Sequence, residues 1–290
     1  MSADIEHLPV LVDEVISYLR PKHKKVYFDG TFGQGGYSRQ ILKFNSKVIA
    51  IDRDFLSEKY AKDLTLKYPK KFFFKVEKFS NIKNILKELK IQKINGLTLD
   101  LGLSSTQIEC SSRGFSFNSD GPLDMRMNNQ NTEITARKII NEFSEKQLSE
   151  IFFHYGEEKN SRKIAKSIVL EREKKEIKTT LDLSKIIKRI NSYNNKNPST
   201  RVFQALRIFV NDELYELEKF LKICISFLDK KSRIIIVSFH SLEDRIVKNF
   251  FKENLEYLKI ITKKPITPSY QEVKNNPRSR SAKMRVAEII

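Results

Sequence analysis

Between Val26 and Asp100 the chain alternates between two hydrophobic periods. Short apolar runs rich in β-branched and aromatic residues, at Val26–Asp29, Val48–Asp52, Phe72–Val76 and Ile94–Asp100, predict strands. Between them Tyr37–Phe44, Phe55–Tyr68 and Ile82–Leu89 carry apolar residues at helical spacing. Strands alternating with helices predict βαβ units, and hence a parallel sheet with helices on both faces. Upstream, Val10, Leu11, Val12, Val15, Ile16 and Leu19 predict a short helix that opens near Pro9 and stops near Arg20-Pro21.

After Asp100 the rhythm breaks. Leu101–Gln107 reads as a loop, and a long segment with turn signals at Gly114 and Gly121-Pro122 follows. Four helices are then expected with no strand between them: Thr135–Phe143, Glu145–His154, Lys159–Glu173 and Leu181–Asn191. Ser144 with Gln147 has capping-box spacing, and Thr180 is the expected N-cap of the fourth helix. A polar stretch, Asn191–Ser199, closes this block. One long amphipathic helix is expected from Phe203 to Cys224, then an apolar strand at Arg233–Phe239 and a helix from His240 to Leu255. Two strands, Tyr257–Thr262 and Ala282–Ile290, flank a loop at Pro265–Ser281. The expected fold class is therefore α/β: a doubly wound, mostly parallel sheet formed by residues 1–111 and 203–290, with an inserted all-helical domain at 112–202.

Candidate chemistry gathers at the strand ends. The first strand runs into Asp29, followed by Gly30, Gly33, Gly35 and Gly36 and then a helix. A glycine-rich turn lets backbone approach a ligand closely, and free N–H groups at a helix start can face a polar or anionic group. Asp52, roughly 20 residues past the turn, suits the hydroxyl pair of a ribose. Asp29, Asp52, Phe79 and Asp100 all lie at or just past strand ends, where doubly wound sheets bind ligands. An ordinary βα turn with a surface acid is the plainer alternative, which four glycines and converging acids disfavour. Pattern alone does not separate a dinucleotide from S-adenosylmethionine. Asp29 leans towards the latter, because a carboxylate repels a pyrophosphate and attracts an ammonium.

Composition narrows the partners. The 290 residues are 40% hydrophobic and 10% aromatic, which suits a packed globular protein. Lys and Arg number 54 against 36 Asp and Glu, a formal charge of +18 that predicts a polyanionic partner, most simply nucleic acid. A Lys-rich compositional habit would raise the charge without any partner; the Arg-bearing loops favour the former reading. Cys110 and Cys224 are far apart, which argues against a disulfide framework or a zinc site. No signal peptide or membrane-length apolar run is evident, so a soluble cytoplasmic protein with no membrane partner is expected.

Nine segments carry a more specific likeness. They are His7-Leu-Pro-Val-Leu11, Asp29–Gly36, Ile51–Asp54, Asp100–Ser105, Arg113-Gly-Phe-Ser-Phe117, Gly121–Met127, Phe203–Leu214, Ser238–Asp244 and Asn276–Ala282. In this order, and nearly end to end, the chain resembles the bacterial 16S rRNA cytosine N4-methyltransferase family. The resemblance implies a class I methyltransferase (Rossmann-like) fold, with S-adenosyl-L-methionine as methyl donor, S-adenosylhomocysteine as product and no metal. It implies 16S rRNA or the small ribosomal subunit as partner, and a cytidine in the decoding region as target. It places donor contacts on Gly35, Gly36, Tyr37, Asp52, Phe79, Asp100 and Gln107, to which the charge argument adds Asp29. The family usually has His where this chain has Tyr37. A backbone contact from the turn would tolerate that change.

The remaining candidates are assigned on chemistry. A cytosine amine is a poor nucleophile and needs alignment, a proton acceptor and exclusion of water. Related DNA amino-methyltransferases use a short acidic or amide-bearing motif after the fourth strand, which corresponds here to Asp100–Ser105, so Asp100, Ser104 and Ser105 are catalytic candidates. Whether Asp100 serves the donor or the target amine is open, and simple loop capping is the alternative for the serines. His240 is a further catalytic candidate, with helix capping as its alternative. Arg113, Phe115, Phe117, Asp124 and Arg126 are substrate candidates, with loop anchoring as the alternative for the aromatics. Arg278 and Arg280, with Lys283 and Arg285, are expected to form a basic clasp on RNA. Lys159, Arg162, Lys163 and Lys166 of the insert are expected to add phosphate contacts. A nicotinamide oxidoreductase, a DNA amino-methyltransferase and a non-catalytic RNA-binding assembly factor remain alternatives. Oligomeric state stays open, a homodimer included.

Overall fold

Tyr27 and Phe28 are neighbours in the first strand yet enter different cores, because successive strand side chains point to opposite faces. The computed structural model describes residues 9–128, 134–191 and 197–290. His7 lies outside them. The first elements are α1 (Val12–Leu19), β1 (Val26–Asp29), α2 (Gly36–Leu42), β2 (Lys47–Asp52), α3 (Glu58–Lys67), β3 (Phe72–Val76), α4 (Ile82–Glu88) and β4 (Ile94–Asp100). Helices follow: α5 (Ser105–Glu109), α6 (Ala136–Glu142), α7 (Glu145–Gly156), α8 (Ser161–Lys174), α9 (Thr180–Ile190), α10 (Thr200–Asn211) and α11 (Glu213–Cys224). The chain ends with β5 (Leu228–Ser238), α12 (Ser241–Glu253), β6 (Leu258–Ile260), α13 (Tyr270–Asn275) and β7 (Lys283–Ile289).

The chain divides into two compact units, Met1–Gly102 with Leu214–Ile290, and Leu103–Glu213. The first is built on a seven-stranded sheet in the order β3-β2-β1-β4-β5-β7-β6. β1 to β5 pair in parallel, and β7 runs antiparallel to β5 and β6. The strand order reverses between β1 and β4, which opens the crevice where ligands bind in such sheets. On one face Phe28, Ile49, Leu97, Leu99, Ile234 and Ile236 pack against α4, α11 and α12. On the other Tyr27, Val48, Ala50, Ile235 and Val237 pack against α1, α2 and α3. Burial on both faces explains why these strands read as continuous apolar runs.

The second unit is helical. Its core joins Ile139, Leu148, Phe152, Ile164, Ile168, Leu183 and Ile187 with Phe203, Leu206 and Val210 of α10. Ser144 and Gln147 make the expected capping box on α7. At α9 the cap is Thr179, whose hydroxyl accepts the N–H of Asp182, one residue earlier than expected. Thr180 instead donates to the Ser119 carbonyl at 2.8 Å and accepts the Gly121 N–H at 3.1 Å, tying the preceding loop to the helix.

Four expectations need correction. The long helix from Phe203 to Cys224 is two helices, broken at Asp212, which is left-handed with φ 51°. Apolar periodicity runs through the break because both helices bury a face, but α10 belongs to the helical core and α11 to the sheet core. The units therefore divide at 102/103 and 213/214 instead of the expected 111/112 and 202/203. Leu101–Gln107 is not all loop, since α5 starts at Ser105. The Pro265–Ser281 stretch holds α13, which buries none of its residues and so leaves no apolar period to read, followed by a 3-10 turn at Pro277–Ser281.

Phe220 of α11 stands at the centre of the sheet core, stacked at 5.9 Å on Phe28 and edge-on at 5.4 Å to Phe79. Phe220→Ala is expected to cost about 3–5 kcal/mol, by lost burial and a cavity that these rings cannot refill. Chemical denaturation followed by tryptophan-independent circular dichroism, since the chain has no Trp, reads the shift.

Candidate active site

The turn after β1 requires glycine at particular positions. Gly33 and Gly35 have φ of +54° and +83°, a left-handed backbone that favours glycine. A Cβ on Gly35 would lie 2.7 Å from the Phe32 ring, and one on Gly36 would lie 2.6 Å from Pro9. Gly35 has no side chain to cap α2, so no side chain takes up the N–H groups at the helix start.

Three acids stand at the ends of three adjacent parallel strands. Asp29 is buried; its Oδ2 accepts the Ser38 hydroxyl at 2.6 Å and its Oδ1 has no partner. Burial pushes the Asp29 carboxyl up to about 6, against hydrogen bonds from Ser38 and Thr31 that pull it down. Asp52 accepts the Gly33 N–H at 2.6 Å and the Asp54 N–H at 2.9 Å, so it braces the glycine turn from the next strand. Burial also raises Asp52 to about 6. Asp100 has an enclosed Oδ1 without a partner, and its carboxyl is raised well above the usual range by burial and then by the charges of Asp29, Glu243 and Glu272. Its own N–H donates to Thr31 Oγ1 at 2.6 Å, linking β4 to the turn after β1.

Tyr37 turns its ring into the protein. The ring is buried and its hydroxyl donates to the Val10 carbonyl at 2.6 Å. Glu272 of α13 accepts the N–H of Leu11 at 2.8 Å. Segment 9–11 is thus tied to Tyr37 of α2 and to Glu272 of α13, with Pro9 against Gly36 at the start of α2. Phe79 lies half-buried in a 3-10 turn after β3, with its ring against Phe220. Glu216 of α11 is buried and accepts Ser80 Oγ at 2.5 Å and Lys78 Nζ at 3.3 Å, gripping both neighbours of Phe79. Thr31, Ser38, Glu216 and Glu272 were not legible as site residues. Each acts through a partner distant in sequence, and none sits in a recognisable spacing.

At the end of β5, His240 is the N-cap of α12, in a capping box with Glu243. Its Nδ1 accepts the Glu243 N–H at 3.4 Å, and its Nε2 lies 3.1 Å from Glu243 Oε1. The capping alternative therefore describes this side chain. The basic clasp is smaller than expected. Arg285 is buried and makes a two-pronged bond to Asp244 at 2.6 and 3.1 Å, and Lys283 lies 3.8 Å from the same carboxylate. Arg278 and Arg280 are exposed on the 3-10 turn.

The other candidates lie in the helical unit. Ser104 caps α5, with its Oγ accepting the Gln107 N–H at 3.3 Å while Gln107 Oε1 accepts the Ser104 N–H at 3.0 Å. The Ser105 side chain lies outside what is described. Arg113 donates to the carbonyls of Arg126 and Met127 at 3.0 and 2.9 Å and stands over the Phe115 ring. Phe115 is buried in the helical core and Phe117 meets Phe203 edge-on at 5.4 Å. Arg126 makes a two-pronged bond to Asp124 at 2.8 and 2.7 Å, and this bond holds the Asp124 carboxyl below its usual range despite burial. These five residues brace the 113–127 segment against its own unit, as the anchoring alternative expects of the two aromatics.

Comparison with known proteins then decides the family. The sequence profile of the MraW methylase family matches residues 4–290. The chain belongs to the MraW methylase family. It is 46% identical over 289 residues to a protein named ribosomal RNA small subunit methyltransferase H from Wolbachia sp. subsp. Drosophila simulans, covering 97% of this chain and 98% of that one. The protein of the same name from Caldicellulosiruptor saccharolyticus is 45% identical over 309 residues, covering 98% and 99%. Among solved structures, a methyltransferase of Streptococcus mutans in complex with S-adenosylhomocysteine aligns over 98% of this chain and 100% of that one, with 10% identity and a TM-score of 0.46. As an MraW methylase the chain is a methyltransferase that takes its methyl group from S-adenosylmethionine. Its seven-stranded, mostly parallel sheet is the class I methyltransferase arrangement. No helix among the described residues is long and apolar enough to cross a membrane.

The buried acids set a pH dependence. Asp29 and Asp52 move from an ordinary 3.8 to about 6 on folding, so the native state holds their protons more tightly than the unfolded chain. Stability is therefore highest below about pH 4 with respect to these groups, falls between about 4 and 6, and stays lowered above that. Asp29→Asn removes the buried charge and is expected to stabilise the donor-free protein at pH 7 by on the order of 2 kcal/mol, with no gain at pH 4. Thermal melting at the two pH values checks this.

Proposed function

We propose that this methylase transfers a methyl group to the exocyclic N4 of a cytidine in the decoding region of small-subunit rRNA. The observation that carries the donor half of this reading is the enclosed, unpartnered carboxylate oxygen of Asp29, Oδ1, beside the glycine turn at the switch point of the sheet. A buried carboxylate with an unused acceptor suits a cationic ligand. The rRNA half rests on the name shared by the relatives that match over nearly their whole length.

S-adenosylmethionine supplies an electrophilic methyl on a sulfonium centre and leaves as S-adenosylhomocysteine. Asp29 holds the ammonium end, beside the backbone of Gly35, Gly36 and Tyr37. Asp52 takes ribose hydroxyls through acceptor capacity left over from Gly33 and Asp54, and the Phe79 ring gives adenine an apolar wall. Asp100 serves the target amine: a carboxyl with raised proton affinity accepts the proton that N4 loses as its lone pair forms the new C–N bond. His240 and Glu243 hold the start of α12. The helical unit and the exposed Arg278 and Arg280 bind the RNA.

Purified small subunits lacking the modification, incubated with labelled S-adenosylmethionine, should yield N4-methylcytidine on nucleoside mass spectrometry. Label in DNA and none in rRNA would replace the substrate, and no label in either would leave an assembly factor. Asp100→Asn is expected to lower kcat roughly 100-fold or more while donor affinity by calorimetry stays within a few-fold. A parallel loss of donor binding would move Asp100 to the donor. Donor affinity should rise with pH through about 6, because Asp29 must be ionised to attract an ammonium. Tyr37→Phe should leave donor affinity nearly unchanged while costing about 1 kcal/mol of stability for the lost bond to Val10.

A further inference from the structure

The helical unit holds a groove of about 930 Å³ between α7 and α8, at the upper end of the ~300–1,000 Å³ typical of small-ligand pockets. Its chemistry is mixed in a particular way. Phe153 lies on its wall with 57% of its surface exposed, although the neighbouring Phe152 is fully buried in the core. His154 meets the Phe153 ring edge-on at 5.2 Å, so two flat rings stand together at the solvent boundary. Lys146, Lys159, Arg162 and Lys163 line the groove against Glu145 and Glu150. Lys146 reaches Glu150 at 4.0 Å, but Lys159, Arg162 and Lys163 make no ion pair among the described residues.

The turn that presents these cations is rigidly built. Glu158 is buried, and its two oxygens accept the Asn160 N–H at 2.9 Å and Asn191 Nδ2 at 3.1 Å. Asn160 Nδ2 donates back to Asn191 Oδ1 at 2.8 Å, and Ser149 Oγ to Ser161 Oγ at 3.4 Å across the groove floor. A buried acid and a double amide contact fix the α7–α8 turn to the end of α9. Nothing in the helical core requires Phe153 to face outward, and Lys159, Arg162 and Lys163 gather at one turn without an ion-pair partner among the described residues. Exposed aromatic faces beside unpaired cations are the equipment of sites for single-stranded nucleic acid, in which a base stacks on a ring and phosphates meet Lys and Arg.

We infer that the α7–α8 groove is a single-stranded RNA site, with one base stacked on Phe153 and adjacent phosphates held by Lys159, Arg162 and Lys163. It rests on the reading that the substrate is RNA, and adds to it a place where unpaired nucleotides outside the target cytidine are gripped. Stacking is indifferent to base identity, so the site contributes grip and register more than sequence choice.

The test uses the full chain and a fluorescent uridine octanucleotide, with affinity read by anisotropy over a potassium chloride series. Phe153→Ala should weaken binding roughly ten-fold, while Phe153→Tyr, which keeps a flat ring, should bind like the unaltered protein. Replacing Lys159, Arg162 and Lys163 together by Gln should flatten the slope of log affinity against log salt by about 2, as expected for about three lost single-strand phosphate contacts. Melting temperatures within a degree or two of the unaltered protein would show that each variant is folded. Unchanged affinity in Phe153→Ala together with an unchanged salt slope would overturn the site. So would displacement of the RNA by polyglutamate that depends equally on Phe153, which would assign the groove to an acidic peptide. Methyl transfer to small subunits is measured in parallel. Full transfer by the unaltered protein with no effect of the groove variants on oligonucleotide binding sinks only the groove. Groove-dependent RNA binding with no methyl transfer by the unaltered protein sinks only the assigned function.

Discussion

Negative charge held out of water at the carboxyl edge of the sheet is the constraint to which the donor site answers. Three strands end in Asp29, Asp52 and Asp100, and each carboxyl is raised by burial. Such groups are tolerated only where neighbours supply donors or a ligand supplies charge. Asp52 is answered internally, by the turn it braces. Asp29 is answered in part by the Ser38 hydroxyl, and Asp29 and Asp100 each keep an oxygen unspent. The glycines belong to the same edge, where Gly33 and Gly35 take left-handed backbone and a Cβ on Gly35 or Gly36 would strike Phe32 or Pro9.

The helical unit is organised by a different logic. Its long 113–127 segment is not a free loop carrying Arg and Phe to a substrate. Arg113 satisfies two carbonyls, Arg126 is locked to Asp124, and Phe115 is part of the core. Charge-assisted bonds inside a segment order it at the expense of its availability. The cations left for a polyanion are those on exposed helix and turn surfaces, which agrees with a formal charge of +18 spread widely over the chain.

Much of the sheet was legible in the sequence because both of its faces are buried. β1, β3 and β4 fall where the apolar runs place them, and the acids at their ends follow from topology alone. What the pattern misses has a common physical cause: periodicity reports that a face is buried, without saying in which core. The break at Asp212 is invisible for that reason, and so is the assignment of α10 to the helical unit. Isolated polar residues were misread for a related one. Arg285 resembles a surface cation in a basic run, but its strand position points it at Asp244, and Thr180 resembles a cap but secures a loop. Ser38, Glu216 and Glu272 carry no local signature at all, since their partners are set by the fold.

The staple over the donor turn has a consequence for how the molecule matures. Leu11 is held by Glu272, 261 residues away along the chain, and it is the neighbouring Val10 that receives the Tyr37 hydroxyl. Synthesis proceeds from the N-terminus, and domains tend to fold as they emerge. The strands and glycines of the turn are made early, yet the wall that encloses them cannot be finished until α13 has been translated. Closure of a loop that long also slows folding relative to local contacts. The nascent chain therefore carries a donor turn whose strands and glycines are made well before the bond from Leu11 to Glu272 can close.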